Sequence, residues 1–145
     1  MGKRLIGSVG LAVAGGTPSP YTRTTSFVIA CSDETTAIDS TGTKVTFYMQ
    51  FDFTVDSVRA SLTTTSSSGT PTIDISEDGT SIMTTTKITI DAGDLISTES
   101  ATQPVLTDTA LADESKITID VDVTGTDATG LKVYIIGYKT LWVIL

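Results

Sequence analysis

Histidine is absent from this chain of 145 residues, and cysteine occurs once, at Cys31. Aromatic residues make up 6% and charged residues 18%, and no apolar run approaches the ~20 residues that a membrane span requires. Each shortage excludes something. Without histidine, Ser-His and Cys-His nucleophile activation is ruled out, and general acid–base chemistry at neutral pH loses its usual agent. A single cysteine forms no intrachain disulfide, so the fold does not rely on an oxidising compartment. In the run Phe27-Val28-Ile29-Ala30-Cys31 the thiol is expected to act as a small buried hydrophobe. Bases are scarce too: nine Lys and Arg stand against 17 Asp and Glu, a net charge of −8. Such a chain repels phosphate backbones, which argues against a nucleic-acid partner. Lys44, Arg59, Lys87, Lys116 and Lys132 each stand alone in a strand-like run, the pattern of solvated strand edges.

Serine and threonine are abundant instead, at 44 of the 145 residues. Thr, Val and Ile lose side-chain freedom in a helix and pack well on a pleated surface, so the composition favours strands. Residues 1–24 read as an extended arm closed by Thr17-Pro18-Ser19-Pro20, where two prolines resist helix. Lys3-Arg4 followed by Leu5–Ala14 has the outline of a short secretory signal, but Gly7 and Gly10 weaken the helix a signal forms. The arm is the expected reading.

From residue 25 to 145 the texture is that of one β domain. Candidate strands are 26–31, 44–50, 53–62, 72–76, 87–91, 103–107, 116–123 and 131–139. Ile117, Ile119, Val121 and Val123 alternate with Thr118, Asp120 and Asp122, giving one dry and one wet face. Leu131, Val133 and Ile135 repeat the pattern beyond a glycine-containing linker, which predicts an antiparallel hairpin. Val45, Phe47 and Met49 form a third apolar face, and Val58, Ala60 and Leu62 a fourth. Asp78-Gly79 and Gly93 mark turns in which glycine supplies a positive φ. Only Leu111–Ser115 has the makings of a helical turn. Eight short strands with turns between them predict an all-β antiparallel sandwich of the jelly-roll kind, preceded by the extended arm.

The acids sit in turns or on wet strand faces, so no catalytic residue is assigned and no cofactor is expected. Asp74-x-Ser76-x-Asp78-Gly79 opens like a calcium loop but has Thr85 at its twelfth position. Asp120 and Asp122 share a strand face from which a cation could also reach Asp127. Neither pattern carries a metal assignment. The most apolar stretches are the ends. Leu5, Ile6, Val9, Leu11 and Val13 in the arm, and Leu141, Trp142, Val143, Ile144 and Leu145 at the C-terminus, are the candidate assembly contacts. The C-terminal run suits either a strand buried in its own sandwich or a tail docked on a neighbour, and tryptophan is enriched at such anchors.

Several blocks together resemble a small β module that recurs in structural proteins of tailed bacteriophages. They are Cys31–Ile38, Lys44-Val45-Thr46-Phe47, Val58–Leu62, Ile73-Asp74-Ile75, Gly79–Ile82, Lys87–Asp91, Leu111–Glu114 leading into Ile117–Val121, and Gly130–Val133. The likeness spans about residues 27–138 and leaves out the arm and the tail. It implies a non-enzymatic virion structural protein of the head-surface, fibre or tail kind; the head-surface reading takes the major capsid protein and sibling protomers as partners. On this reading the chain is a capsid decoration or cement protein, a homotrimer with no membrane partner. The alternatives are a tail-associated module that binds host glycans through Tyr21, Tyr48, Tyr134 or Tyr138, and a bacterial surface adhesin released by cleavage after Ala14.

Overall fold

The computed structural model describes residues 19–143, with side chains given for residues 23–139. Nine strands follow one another: β1 (Ser19–Ala30), β2 (Gly42–Tyr48), β3 (Phe53–Ser61), β4 (Thr72–Glu77), β5 (Thr80–Ser81), β6 (Ile88–Thr89), β7 (Ala110–Leu111), β8 (Lys116–Val123) and β9 (Lys132–Val143). Every pairing is antiparallel. The first sheet has the order β1-β9-β3-β7, and the second β2-β8-β4-β5, with β6 also pairing β4.

The pairs β1·β9, β2·β8, β3·β7 and β4·β5 nest inside one another along the chain. They form one long antiparallel ribbon wound on itself, and the contacts β9·β3 and β8·β4 close each turn of the winding. That is the topology of a jelly roll, and it matches the architecture expected from the strand pattern.

Alternation decides which side chains fill the space between the sheets. Ile117, Ile119 and Val121 of β8, Val133 and Ile135 of β9, and Ile73 and Ile75 of β4 are 1% exposed or less. Val58, Ala60 and Leu62 are buried beside them, with Arg59 exposed in between. Each fully buried Ile stabilises the fold by about 1.5–3 kcal/mol relative to an exposed one. Cys31 is buried, as its apolar run implies, and burial pushes its thiol up to about 11 against a weaker backbone hydrogen bond.

Several expectations are corrected. The runs 117–123 and 131–139 do not form a hairpin, because β8 lies in the second sheet and β9 in the first. Their linker crosses between the sheets, helped by positive φ at Gly125, Asp127 and Gly130. The strand expected over 103–107 reduces to one bridge, Val105 with Thr86. Pro104 has no N–H to give, and the Gln103 amide donates instead to the Ser97 and Ser100 carbonyls at 2.9 and 2.8 Å. The run 87–91 pairs only at Ile88–Thr89, since the Asp91 N–H turns away to Ser100 Oγ at 2.8 Å. The helical turn lies at Ser97–Glu99 rather than at 111–115. Leu111 is in β7, and Glu114 takes φ +64° in the turn that follows.

Two close features shape the first sheet. The register of β3 shifts between Val55 and Ser57, leaving Asp56 as an outward bulge opposite β9. Gly137 sits beside it, where a Cβ would overlap the Thr54 carbonyl and the Phe53 ring. In the second sheet Asp78 (φ +48°) and Gly79 (φ +86°) make a two-residue turn between β4 and β5, the Asp-Gly hairpin that the residue pair predicts.

Candidate assembly surface

β1 begins at Ser19, inside the segment read as an arm, and its backbone pairs with β9 all the way to Val143. Ser19 is opposite Val143, Pro20 opposite Trp142, and Tyr21 opposite Leu141. The first residue of β1 and the last of β9 therefore lie side by side at one corner of the first sheet. On its other side β9 loses its partner at Thr54, which is opposite Tyr138. The five pairs from Arg23↔Lys139 to Ser19↔Val143 thus continue as a two-stranded ribbon past the end of β3. Of the sequence candidates, Leu141, Trp142 and Val143 have backbones in this ribbon. Leu5, Ile6, Val9, Leu11, Val13, Ile144 and Leu145 lie outside the described residues.

A cleft of about 640 Å3 opens below the ribbon between Phe51–Thr54 and Ala110–Asp113, with Lys139 on its rim. Phe27, Phe51 and Phe53 form an aromatic cluster there, with ring centroids 5.0–6.3 Å apart. The Lys139 ammonium lies 4.6 Å from the centre of the Phe51 ring, a cation–π arrangement. Arg23 and Lys139 are cross-strand neighbours of like charge, an unfavourable pairing that the ring partly offsets.

The outer face of the first sheet is built in rows. Val28, Tyr134 and Arg59 form one row, and Ser26, Ile136 and Ser57 the next. Val28 is 60% exposed, and Ile96 beside the Tyr134–Ile136 edge is 42% exposed. A shallow groove of about 190 Å3 runs between Arg59, Ile96, Tyr134 and Ile136, and the Tyr134 and Ser61 hydroxyls sit 3.0 Å apart at its side. The strands of this sheet hold Arg23, Arg59, Lys132 and Lys139 against the single acid Asp56. They are spread along it: Arg23 and Lys139 face each other at one end beside the cleft that holds Asp52 and Asp113, Arg59 lies opposite Tyr134, and Lys132 pairs with Glu34.

The second sheet's outer face has another character. Asp74, a buried carboxylate, meets the Lys87 ammonium at 3.0 Å and accepts from Ser81 Oγ at 2.6 Å. Lys87 also reaches Asp122 at 2.6 Å. The hydrogen bond to Asp122 and then that to Asp74 raise the Lys87 pKa. The carboxylates weighed as cation ligands thus have separate partners. Asp78 accepts the Lys116 N–H at 2.9 Å, Asp120 accepts from Thr43, and Asp127 accepts from Ser67 at 3.0 Å. Among the described residues, no group of three or more Cys, Asp or Glu stands close enough to hold a metal ion.

Where β1 leaves the first sheet, Asp33 accepts the Thr35 and Thr36 N–H groups at 2.6 and 2.8 Å. These bonds, the Thr35 N–H above all, bring its carboxyl down to about 2. Glu34 accepts from Lys132 and from Thr63, which lower its pKa in that order.

The tyrosines weighed for glycan binding do not form a single platform. Tyr48 is 61% exposed on the second sheet, whereas Tyr134 and Tyr138 belong to the first. Comparison with protein-family models, curated proteins and solved structures returns no match.

Proposed function

We propose that this chain is a non-enzymatic virion structural protein of a tailed phage, a decoration or cement protein that strengthens the capsid by subunit contacts. The observation that carries this reading is that the first residue of β1 and the last of β9 lie side by side. The segments chosen from sequence as assembly contacts adjoin there, on a two-stranded ribbon that extends past its own sandwich. An isolated two-stranded ribbon is marginal in water, so a ribbon flanked by apolar segments gains most when a neighbour covers it. The residues before Ser19 include Leu5, Ile6, Val9, Leu11 and Val13, apolar side chains suited to a neighbouring subunit. Burial of their apolar side chains yields about 25 cal/mol per Å2 without any catalytic group, and repetition over many copies adds avidity. The resemblance of residues 27–138 to phage structural modules points the same way.

Deletion of residues 1–18 tests the proposal. The truncated chain is expected to keep the circular-dichroism spectrum and melting temperature of the full chain, because β1 starts at Ser19. Its occupancy on virions, counted by cryo-electron microscopy, is expected to fall below a tenth of the full chain's. Full occupancy by the truncated protein would overturn this reading.

A further inference from the structure

We propose that the free edge of β1 takes up residues 5–13 of a second copy of this chain as an added antiparallel strand. The outer strands of the two sheets differ in how their edges are closed. β5, β6 and β7 are two residues long, and β2 is interrupted by a bulge that sets Lys44 out of register. Short strands, bulges and edge charges are the usual guards against strand addition. In β1, Pro20 and Arg23 guard only one end, and its twelve pairs with β9 run without a register shift. The Cys31 N–H donates to the Leu131 carbonyl at 2.8 Å, which sets the alternation along the strand. Odd-numbered residues of β1 turn their N–H and C=O groups to β9, and even-numbered ones turn theirs to the open edge. Thr22, Thr24, Ser26, Val28 and Ala30 therefore present a row of donors and acceptors that no described residue meets. The row stops at Pro20, which has no N–H. Such an edge binds an extended segment through its main chain, with side chains deciding which segment fits.

The chain's own sequence supplies a segment that fits. From Ser8 to Val13 small residues alternate with larger apolar ones, the pattern of a strand with one dry face. Set antiparallel with Ser8 opposite Ser26, this segment places Leu5 opposite Ile29 and Gly7 opposite Phe27, both half-buried against the core. Ile6 falls opposite Val28, which is 60% exposed. The same register carries Lys3 and Arg4 past Ala30 to the loop that holds Asp33 and Glu34. Glu34 already accepts from Lys132, whereas Asp33 has no cation among the described residues. Asp33 is exposed and its Thr35 and Thr36 donors keep it ionised. A parallel strand would bring Lys3 and Arg4 towards Arg23 instead, so charge selects the antiparallel direction. A segment folding back on its own chain would have to close beside its turn at Pro20, where β1 lacks a donor. A segment from another copy needs only Thr22 to Ala30. Exchange of one element between identical chains is a low-cost route to association. The inference concerns pairing between copies in solution and goes beyond the capsid reading, which virion occupancy tests separately.

Hydrogen exchange on the full chain provides the test, read by mass spectrometry with residue-resolving fragmentation, beside sedimentation velocity over the same concentrations. The Thr24, Ser26 and Val28 amides are expected to exchange at least about tenfold more slowly at about 0.5 mM than at about 5 μM, in step with association. Ser26→Pro removes an outward N–H and leaves the bonds to β9 in place. Ser8→Pro removes a donor from the incoming segment. Each is expected to weaken association by about tenfold or more. Lys3→Glu combined with Arg4→Glu is expected to weaken it less, and to remove most of its dependence on sodium chloride. Lys44→Glu, on the edge of the second sheet, is expected to leave it unchanged. A thermal melt checks that each variant is folded; if Ser26→Pro is not, Ser8→Pro and the wild-type exchange rates decide. Edge amides that exchange at the unprotected rate at both concentrations would overturn the inference. So would association indifferent to Ser8→Pro, which would give the edge to a different strand of the second copy. Edge amides protected equally in the dilute monomer would put the segment on its own chain and overturn exchange between copies.

Discussion

The two sheets of this sandwich share one core and differ on their backs. Both bury alternate Ile and Val against each other, so on the inside their chemistry is nearly interchangeable. On the outside, the second sheet satisfies its charges internally, with Lys87 placed between Asp74 and Asp122 and Thr43 donating to Asp120. The first sheet leaves Val28, Tyr134, Ile136 and Arg59 in rows with few polar partners of their own. Exposed apolar side chains occur on both sheets, Val28 on the first and Tyr48 and Val123 on the second, so the paired charges around Lys87 are what set the second apart. The first sheet is the one that also places Ser19 beside Val143.

The largest expected effect would break the first sheet itself. At Gly137 a Val side chain would overlap the Thr54 carbonyl, and a backbone atom gives way less readily than a flexible side chain. Gly137→Val is therefore expected to destabilise the fold by about 3 kcal/mol, measured by chemical denaturation, because β9 must separate from β3 at the bulge. A loss below about 1 kcal/mol would mean that this join is looser than the geometry indicates.

A smaller effect tests the seal on the second sheet. Lys87→Met leaves the buried Asp74 carboxylate without its cation, at an expected cost of about 1–2 kcal/mol once the partial exposure of Lys87 is discounted. The pKa of Lys87 is raised in the folded state. Its contribution is thus fully present below the unfolded lysine value of about 10.4 and is lost as pH rises through the higher folded value. Wild-type stability should fall more steeply above pH about 10.5 than that of Lys87→Met; parallel curves would show that the ammonium does not stabilise this face.

The smallest effect concerns the loop that carries the chain from the first sheet to the second. Asp33 is lowered to about 2 by the Thr35 and Thr36 donors. A depressed carboxyl stabilises above its unfolded value and loses that contribution as pH falls through the folded one. Thermal melts between pH 4 and 2 should therefore show a steeper decline for the wild type than for Asp33→Ala. Because Asp33 is exposed, the difference is expected to be a shift of a few degrees at most.

Much of this fold is legible along the chain. Strict alternation over 116–123 and at Val58, Ala60 and Leu62 marks strands with one dry face, and Asp78-Gly79 marks a hairpin. The alternation is silent on partners. Residues 117–123 and 131–139 satisfy the pattern equally well as a hairpin within one sheet or as strands of opposite sheets, since their linker is long enough for either. Short elements suffer most. Two-residue strands such as Ala110–Leu111 carry too few positions for a period to appear, and their pairing comes from neighbours already in place. Asp74 shows the same limit for charge. Nothing next to it in sequence indicates burial, because its partner is Lys87, thirteen positions away. The candidate surface was half legible: apolar segments stand out by composition, whereas the rows that bring Val28, Tyr134 and Arg59 together join residues from three separate strands.

Composition and local pattern by themselves determined that this chain is all-β, lacks histidine-based chemistry, buries its only thiol and ends in apolar segments, because such properties depend on residue type and on near neighbours. Only the tertiary structure decided how the ribbon winds, which carboxylates find Lys87, and that Ser19 lies opposite Val143. Those outcomes depend on contacts between residues tens of positions apart, formed when the two sheets close over a common core.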